Sequence, residues 1–568
     1  MNAPGLTLSA HEASRVSSAR AFPYVQGSQA ELSPLGWWHR GDAELRRGDA
    51  ALREALLNVR KSFLLIADDG GFSVTRKDLR ESCAHGEDTL AVAAYVPPSH
   101  PELLGDAAFM EFLGIRYPCI AGSMAHGISS VEMVESMAAA GMLGFFGAGG
   151  ETAAKVEQAI DRLSVAPGTR PFGFNFIHSP GEPAMEEALA DLYLRRGIRL
   201  IEASAFMDIT PALVRYRAAG LSEGPDGSIT VANRIIAKAS RAEVATRFFS
   251  PPPQAVLEEL VSSGRISEKQ KALAAVIPLA DALTAEADSG GHTDNRPLVT
   301  LLPAMCALRD ELQKKFGYRQ KLHVGAAGGI STPASAAAAF TMGAAYIMTG
   351  SVNQSCIESG TSEAVRDLLS KTRQADITMA PSADMFELGV KIQAIKTGTM
   401  FPMRAAKLYQ LYQTCASLEE IPPKERETIE KNFFRASFQE VWNQTCEYFL
   451  ERDPGQIDLA GQNARHKMAL LFRYYLGQSA RWAILGEPSR QLDYQIWCGP
   501  SMGAFNEWVK GSPLEHVKRR KVALVALNLL HGAAVAMRLA HLRSQGIDLF
   551  QVGSPRPLEE EQLANYLS

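Results

Sequence analysis

Between residues 112 and 353, short apolar runs alternate eight times with Ala-rich helical segments, and this rhythm constrains the fold more than any other feature. Several runs are almost continuously apolar, which is typical of parallel strands buried on both faces of a sheet. The predicted strands are 117–121, 141–146, 171–177, 197–203, 234–239, 276–287, 322–326 and 344–349. Eight strand–helix alternations in about 240 residues fit an α/β fold of the (β/α)8 TIM-barrel type better than an open doubly wound sheet.

Two further regions flank the predicted barrel. The N-terminal stretch, 1–105, has a helical segment at 51–58 and a strand-like run at 62–67 that ends in an Asp-Gly-Gly turn signal, so we expect a small α+β region. The barrel is assigned to 106–403, with an irregular insertion near 248–275 and a helical extension after Asn353, where the β rhythm stops. Helical patterns at 426–448, 465–483 and 518–542 predict a C-terminal helical region at 404–568.

Composition excludes several classes of protein. The 568 residues carry a formal net charge of -4, which gives no global positive field of the kind that nucleic-acid-binding proteins usually carry. The seven cysteines are scattered without a CxxC pair or a Cys/His cluster, so we expect neither a disulfide framework nor a metal site. Because we find no signal-peptide core and no run of about 18 apolar residues, we expect a cytoplasmic protein without a membrane partner.

Barrel enzymes build their active sites from the loops at the C-terminal ends of the strands, and each candidate motif follows a predicted strand. The first strand leads into the small residues Ala121, Gly122, Ser123 and Met124, followed by His126. Such a loop lets a planar ligand lie close to the backbone, although an ordinary Gly-rich turn is an equal alternative.

Asn175 interrupts the third apolar strand. A buried amide must find hydrogen-bond partners, and either a ligand or a backbone carbonyl would satisfy it.

The sixth strand is followed by Ser289, Gly290, Gly291 and His292. The two glycines permit close approach of the backbone to a ligand, and a histidine titrates near neutral pH. A lone histidine is more often structural, but its position after Ser-Gly-Gly at a barrel strand end favours a functional role.

Two Gly-rich loops follow the seventh and eighth strands, where this fold commonly binds phosphate through backbone N–H groups and a helix N-terminus. The first contains Gly325, Gly328 and Gly329, and the second contains Gly350 and Ser351. Ser331 and Thr332 precede Pro333, which is a natural helix start. The dinucleotide fingerprint Gly-x-Gly-x-x-Gly after a first strand is absent, which disfavours a Rossmann domain.

Together these motifs resemble the nitronate monooxygenase (2-nitropropane dioxygenase-like) flavoprotein superfamily, in its PfaD-type branch of trans-acting enoyl reductases from polyunsaturated fatty acid and polyketide synthases. The resemblance covers nearly the whole chain. Its barrel part is carried by Ala121-Gly122-Ser123-Met124, Phe172-Gly173-Phe174-Asn175, Ser289-Gly290-Gly291-His292, Ala327-Gly328-Gly329-Ile330 and Gly350-Ser351. Its branch-specific part is carried by Phe472-Arg473-Tyr474-Tyr475-Leu476-Gly477 and by 493–506.

The resemblance implies that FMN binds at the barrel mouth, with its phosphate on Gly328, Gly329, Gly350 and Ser351 and its ring system beside Asn175 and the loop 122–124. It also implies that NADPH supplies electrons and that acyl carrier protein delivers an enoyl thioester. His292 is then the first candidate for the proton donor, and His126 is the second. The family's usual Gly-Thr-Arg-Phe at the eighth strand reads Gly350-Ser351-Val352-Asn353 here, so a role of that arginine does not carry over.

Lys238 lies inside an apolar strand and needs a partner, which is either the flavin and its phosphate or a carboxylate on a neighbouring strand. Two other functions stay open at this point. One is a nitronate monooxygenase, in which the same histidine would abstract a proton, and the other is a flavin-binding scaffold that recruits a carrier protein. The sequence also leaves open the acyl chain, the choice between NADH and NADPH, and the oligomeric state, a homo-oligomer included.

Overall fold

The computed structural model separates the chain into two units, Glu102–Leu530 and a unit made of Met1–Pro101 with His531–Ser568. It describes residues 34–39, 44–68, 71–76, 85–165, 171–179, 183–549 and 552–568. Residues 69–70 of the predicted N-terminal turn and Cys83 lie outside the described residues. The three-part division at residues 105 and 403 stays a prediction.

The smaller unit contains a five-stranded antiparallel sheet. Its strands are β1 (Gly36–His39), β2 (Arg46–Arg47), β3 (Phe63–Asp68), β4 (Gly71–Thr75) and β5 (Thr89–Val96), in the spatial order β1-β5-β3-β4-β2. The helix Gly48–Leu57 connects β2 to β3, and the helix Glu560–Leu567 ends the chain. The helix predicted at 51–58 and the strand predicted at 62–67 are therefore confirmed.

Arg538 fastens the end of the helix Gly48–Leu57 in this unit. Its buried guanidinium donates to the backbone carbonyls of Ala55, Leu56 and Asn58 at distances of 3.1, 3.0 and 2.9 Å. The last carbonyls of a helix have no intrahelical partner, so the arginine supplies the missing donors.

Arg538 belongs to the helix Val522–Ser544, which is the one helix among the described residues that is long and apolar enough to cross a membrane. This corrects the expectation that the sequence holds no apolar run of that length. A buried core helix can have the same length and composition, and 72% of the most apolar window of this helix is buried inside the fold.

A closed barrel of eight parallel strands organises the larger unit. Its strands are β6 (Cys119–Ala121), β7 (Leu143–Phe146), β8 (Gly173–Ile177), β9 (Leu200–Ser204), β12 (Arg234–Ala239), β13 (Ala282–Glu286), β15 (His323–Ala327) and β16 (Ile347–Thr349). Pairing of β16 with β6, where Ile347 lies opposite Cys119, closes the barrel. Each strand overlaps one of the eight predicted apolar runs, so the predicted TIM barrel is confirmed.

Helices follow the barrel strands. They are Val131–Ala139, Ala153–Val165, Pro183–Arg195, Pro211–Ala219, Ala242–Phe249, Leu298–Phe316, Pro333–Thr341 and Ser351–Gln354, with Ala107–Leu113 before the first strand. The insertion after residue 250 was expected to be irregular, but it forms the helices Gln254–Ser262 and Glu268–Ala274. A capping box between Ser267 and Gln270 starts the second of these helices.

Short strands outside the barrel form two additional sheets. The strands β10 (Leu221–Glu223) and β11 (Ile229–Val231) make a hairpin. The strands β14 (Gly291–His292), β17 (Ile377–Pro381) and β18 (Lys391–Ile395) make a three-stranded antiparallel sheet in the order β14-β18-β17. The prediction that β structure stops after Asn353 was therefore wrong, because β17 and β18 pair with each other and β18 also pairs with β14, about a hundred residues earlier.

Helices otherwise dominate the larger unit after the barrel, as predicted. They are Glu363–Lys371, Phe401–Thr414, Pro423–Thr428, Phe438–Arg452, Gly455–Gln462, Ala464–Leu485 and Ser501–Val509, with a π-helical turn at Ile429–Phe434. The pattern at 426–448 is thus not one helix, because the π turn and the left-handed Arg435, with φ of 57°, interrupt it.

Candidate active site

The loop after β6 is held close to the last barrel strand. Gly122 donates from its backbone N–H to the carbonyl of Thr349 at 3.1 Å, and a Cβ at position 122 would lie only 2.8 Å from Sδ of Met348. A larger residue here would therefore displace the Met348 side chain, whereas glycine lets the backbone lie against β16. The neighbouring Ala121 is buried as the last residue of β6, and Met124 is half-buried.

A buried carboxylate anchors the same loop. Glu202 on β9 is fully buried and accepts from the backbone N–H of Ser123 at 3.1 Å and from the Ser123 hydroxyl. Burial raises the pKa of Glu202 above its usual value, although Lys238 opposes this effect.

Lys238 has carboxylate partners within the barrel. Its Nζ lies 3.6 Å from Oε2 of Glu202 and 3.4 Å from Oε1 of Glu286. Burial alone would lower the pKa of Lys238, but the two carboxylates outweigh it and raise the pKa. Of the two partners expected from the sequence, the carboxylate on a neighbouring strand is the one this structure shows.

Asn175 on β8 contacts β9, the strand that carries Glu202. Its buried Nδ2 donates to the backbone oxygen of Glu202 at 3.3 Å and to Oγ of Ser204 at 3.0 Å. Its Oδ1 lies 3.2 Å from the position that a Cβ on Gly149 would occupy. The amide is thus fixed by β9, with its oxygen directed at the Gly-rich loop after β7.

His126 is held in a strained position at the barrel mouth. Its backbone is left-handed with φ of 57°, and its N–H donates to the carbonyl of Gly149 at 2.7 Å. The imidazole stacks on the indole of Trp497, so the branch-specific segment 493–506 reaches back to the first barrel loop.

The same segment covers the loop after β13. A Cβ on Gly290 would lie 2.8 Å from the backbone nitrogen of Cys498, so only glycine fits beneath it. The backbone N–H of Gly499 donates to Oγ of Ser351 at 3.1 Å. Gln393 on β18 connects this segment to the loop after β13, since its side-chain amide donates to the carbonyl of Ser289 and its backbone carbonyl accepts from the N–H of Cys498.

The two predicted phosphate loops differ in the room they leave. Gly328 and Gly329 have φ of 83° and 72°, which favours glycine at both positions. A Cβ at Gly328 would lie 2.6 Å from the backbone of Ala287, whereas the space around Gly329 and Gly350 is open. Gly325 lies against the ring of Tyr346, so packing explains its missing side chain.

Two buried hydroxyls beside these loops lack a hydrogen-bond partner in the described part of the chain. They are Oγ of Ser331, in the loop after β15, and Oγ of Ser289. A buried hydroxyl without a partner is costly, so a ligand that accepts hydrogen bonds would stabilise both. Together with the open space at Gly329 and Gly350, the Ser331 hydroxyl fits the phosphate of the FMN that the fold family implies, and the Ser289 hydroxyl is a further donor nearby.

His292 is half exposed and has two side-chain partners that the sequence did not indicate. Its Nε2 lies 3.0 Å from Oγ of Ser382 and 3.1 Å from Oδ1 of Asp384. Burial lowers the pKa of His292, but the Asp384 carboxylate outweighs it and raises the pKa above its ordinary value. A Ser-x-Asp sequence directly after a strand would have been the signal, but β17 was itself missed.

Comparisons with known proteins agree with this architecture. A family model described as nitronate monooxygenase matches residues 106–420, and one described as the inserted helical domain of acyl-carrier-protein S-malonyltransferase matches residues 415–494. The enoyl reductase domain of MlnA, from the macrolactin biosynthesis cluster of Bacillus amyloliquefaciens, is 39% identical with a TM-score of 0.74, and the match covers 78% of this chain and 99% of that domain.

Curated relatives are larger proteins. A polyunsaturated fatty acid synthase subunit of a Thraustochytrium species is 46% identical over 467 residues, which are 81% of this chain and 31% of that protein. Polyketide biosynthesis protein PksE of Bacillus subtilis is 44% identical over 447 residues, which are 78% of this chain and 58% of that protein. The chain therefore spans from about a third to somewhat over half of the length of these relatives. By the family match over 106–420 and the likeness to these relatives, the chain belongs to the nitronate monooxygenase family, in its PfaD-type branch.

Proposed function

We propose that the chain is an FMN-dependent enoyl reductase that acts in trans, with NAD(P)H as reductant, on enoyl thioesters carried by acyl carrier protein. The setting is polyunsaturated fatty acid or polyketide biosynthesis, in the cytoplasm. The observation that carries the proposal is the pair of buried hydroxyls of Ser289 and Ser331, which have no hydrogen-bond partner among the described residues and lie beside open Gly-rich loops, in a chain that is 39% identical to an enoyl reductase domain.

The residues available for FMN surround the barrel mouth. Backbone N–H groups of Gly328, Gly329, Gly350 and Ser351 would hold its phosphate, aided by the hydroxyl of Ser331. The ring system would lie beside Asn175 and the loop 121–124, with the loop 289–291 as a further contact. Bound FMN in its reduced form supplies a hydride for the β carbon of the enoyl thioester.

The chain itself must supply the proton that the α carbon takes up. His292 is suited to this role because Asp384 raises its pKa, which favours the protonated form that can donate. Its half-exposed side chain also allows it to recover a proton from water after each turnover. His126, stacked against Trp497, is the second candidate.

Lys238 has a supporting role in this proposal. Its positive charge is balanced by Glu202 and Glu286, and Glu202 in turn holds Ser123 in the loop that would contact the ring system. The ion pairs of Lys238 with Glu202 and Glu286 therefore help to hold the loop after β6 in place.

Two measurements on the purified protein test the proposal. Heat-denatured protein should release FMN, because the loops after β15 and β16 are where this fold commonly binds phosphate and the described residues form no dinucleotide-binding fold; recovery of FAD would contradict this. With NAD(P)H, the protein should convert a crotonyl thioester on acyl carrier protein to the butyryl thioester. Turnover of an alkyl nitronate with none of the enoyl thioester would instead indicate a nitronate monooxygenase.

A further inference from the structure

The loop between β17 and β18 places polar groups against the side chain of His292. This loop, 382–390, starts directly after Pro381, the last residue of β17. Ser382 is buried, and its hydroxyl donates to the carboxylate of Asp384. Both residues approach the same imidazole nitrogen, Nε2 of His292. Ser382, Asp384 and His292 therefore form one connected hydrogen-bond network between segments 90 residues apart.

The backbone around His292 is fixed by the same sheet. His292 lies opposite Ile392 in the pairing of β14 with β18, and Gly291 lies opposite Gln393. The loop that carries Asp384 is held from its other side by Arg473, whose Nε donates to the carbonyl of Ala383 at 2.9 Å and whose guanidinium pairs with Glu387 at 3.2 Å. Arg473 belongs to the branch-specific helix Ala464–Leu485, so the helical region buttresses the loop beside the histidine.

This geometry leaves one imidazole nitrogen for chemistry. Within the described part of the chain, the side-chain hydrogen bonds of His292 are made by Nε2. An Nε2–H that donates to Asp384 fixes the tautomer, so Nδ1 is the nitrogen that can carry the transferable proton.

We propose that Asp384, together with Ser382, is a positioning residue that orients His292 and reserves its Nδ1 for proton delivery to the α carbon of the substrate. This inference rests on the proposed function. In the step, the hydride forms the Cβ–H bond, the electron pair of the C=C π bond moves to Cα and forms the Cα–H bond with the proton from Nδ1, and the electrons of the broken Nδ1–H bond stay on nitrogen. The neutral imidazole keeps its Nε2–H on Asp384 and regains a proton from water at Nδ1.

Among the described residues, the charged groups that act on His292 are Asp384 and, from the end of β13, Glu286, which is itself paired with Lys238. Because both groups are carboxylates, removal of the nearer one lowers the pKa of His292. A rate that needs the imidazolium falls as the pH rises through this pKa. In Asp384→Asn the fall should therefore occur at lower pH than in the wild-type protein.

The test compares wild type, Asp384→Asn, Ser382→Ala and, as a matched control, Asp310→Asn at an exposed helical aspartate. We expect all four to retain flavin and to accept hydride from NAD(P)H at similar rates. Reoxidation by an enoyl thioester should slow about 10- to 100-fold in Asp384→Asn, a part of the usual contribution of a general acid, and several-fold in Ser382→Ala. In a His292→Ala background, Asp384→Asn should have no additional effect. Wild-type reoxidation in Asp384→Asn, or a full additional loss in the double variant, would overturn the proposal.

A readout without turnover separates this inference from the proposed function. Diethyl pyrocarbonate modifies neutral imidazole, and mass spectrometry of the His292 peptide gives its rate of modification against pH. The midpoint should shift to lower pH in Asp384→Asn and stay in place in Asp310→Asn. If the shift occurs but no enoyl thioester reoxidises the wild-type protein, the contact is real and the proposed reaction is wrong. If the midpoint stays in place in both Asp384→Asn and Ser382→Ala, Asp384 does not act on His292.

Discussion

The indole ring of Trp497 stacks on the imidazole of His126, with ring centroids 5.7 Å apart and planes inclined by 11°. The two residues come from a segment after the long helix Ala464–Leu485 and from the first barrel loop. The stack thus joins the branch-specific part of the chain to the barrel mouth. An aromatic pair of this kind contributes about 0.5–1.5 kcal/mol, enough to hold a half-buried side chain in place.

We expect Trp497→Ala to lower kcat/KM for the enoyl thioester by up to about tenfold, since loss of the stack releases His126. Flavin content should be unchanged, because Trp497 is not among the groups that would hold the phosphate. Trp497→Phe keeps an aromatic ring and serves as the control with nearly full activity. Steady-state kinetics of both variants measure kcat/KM. An alanine variant with wild-type kcat/KM would show that the stack has no part in turnover.

Gly350 offers a clean test of the phosphate site. A Cβ there meets no other part of the described chain within 4 Å. We therefore expect Gly350→Val to fold normally but to be purified without flavin, because the side chain would fill the space of the phosphate. Gly328→Val is less informative, since its side chain would also clash with the backbone of Ala287.

The control for Gly350→Val is Gly477→Ala, at an exposed position inside a helix, which should keep its flavin and gain about 0.5–1 kcal/mol in stability. Absorbance of bound flavin and thermal unfolding report both properties. Full flavin occupancy in Gly350→Val would place the phosphate elsewhere.

His292→Ala should separate the two half-reactions. If His292 donates the proton, the variant should keep FMN and accept hydride from NADPH at the wild-type rate, but its reoxidation by enoyl thioester should fall about 10²- to 10⁴-fold. Stopped-flow absorbance measures the two steps independently. Loss of flavin would make His292 a cofactor-binding residue, and unchanged reoxidation would move the role to His126, Lys238 or water.

His531 makes the smaller unit sensitive to acid. Burial lowers its pKa to about 4, and its Nε2 donates to the carbonyl of Leu57 at 2.8 Å. The unfolded chain takes up this proton near pH 6.5 and the folded chain does not, so the free energy of unfolding falls as the pH drops from about 6.5 to 4. Protonation of this residue should lower the free energy of unfolding by about 3 kcal/mol at pH 4 and should have no effect above pH 7.

Denaturant unfolding between pH 4 and 7.5 measures this dependence. His531→Gln retains an amide donor for Leu57 and should remove most of the slope, whereas His516→Gln, at an exposed position, should leave it in place. Equal slopes in wild type and His531→Gln would contradict the assignment.

The barrel and its loops could be predicted because their signals are local. Buried parallel strands are continuous apolar runs, and the glycines at 122, 290, 328 and 350 lie shortly after the ends of those runs. The phosphate site is inferred from the same local signal and from the common use of the seventh and eighth loops, and it stays a prediction.

The partners of the site residues could not be predicted, because they are distant in sequence. Asp384 lies 92 residues after His292, and Glu202 lies 79 residues after Ser123. Periodicity describes only neighbours along a strand or helix, so neither contact leaves a signal. The strands β17 and β18 were also missed, although they pair with each other, and the contact of β18 with Gly291 and His292 is again distant in sequence.

The most direct test of enoyl reduction is a single anaerobic turnover. Purified protein is first bleached with one equivalent of NADPH and then mixed with a crotonyl thioester on acyl carrier protein, while absorbance near 450 nm and the mass of the thioester are followed. We expect the oxidised flavin spectrum to return with one equivalent of butyryl thioester formed. A spectrum that stays bleached until oxygen is admitted, with the crotonyl thioester unchanged, would contradict enoyl reduction.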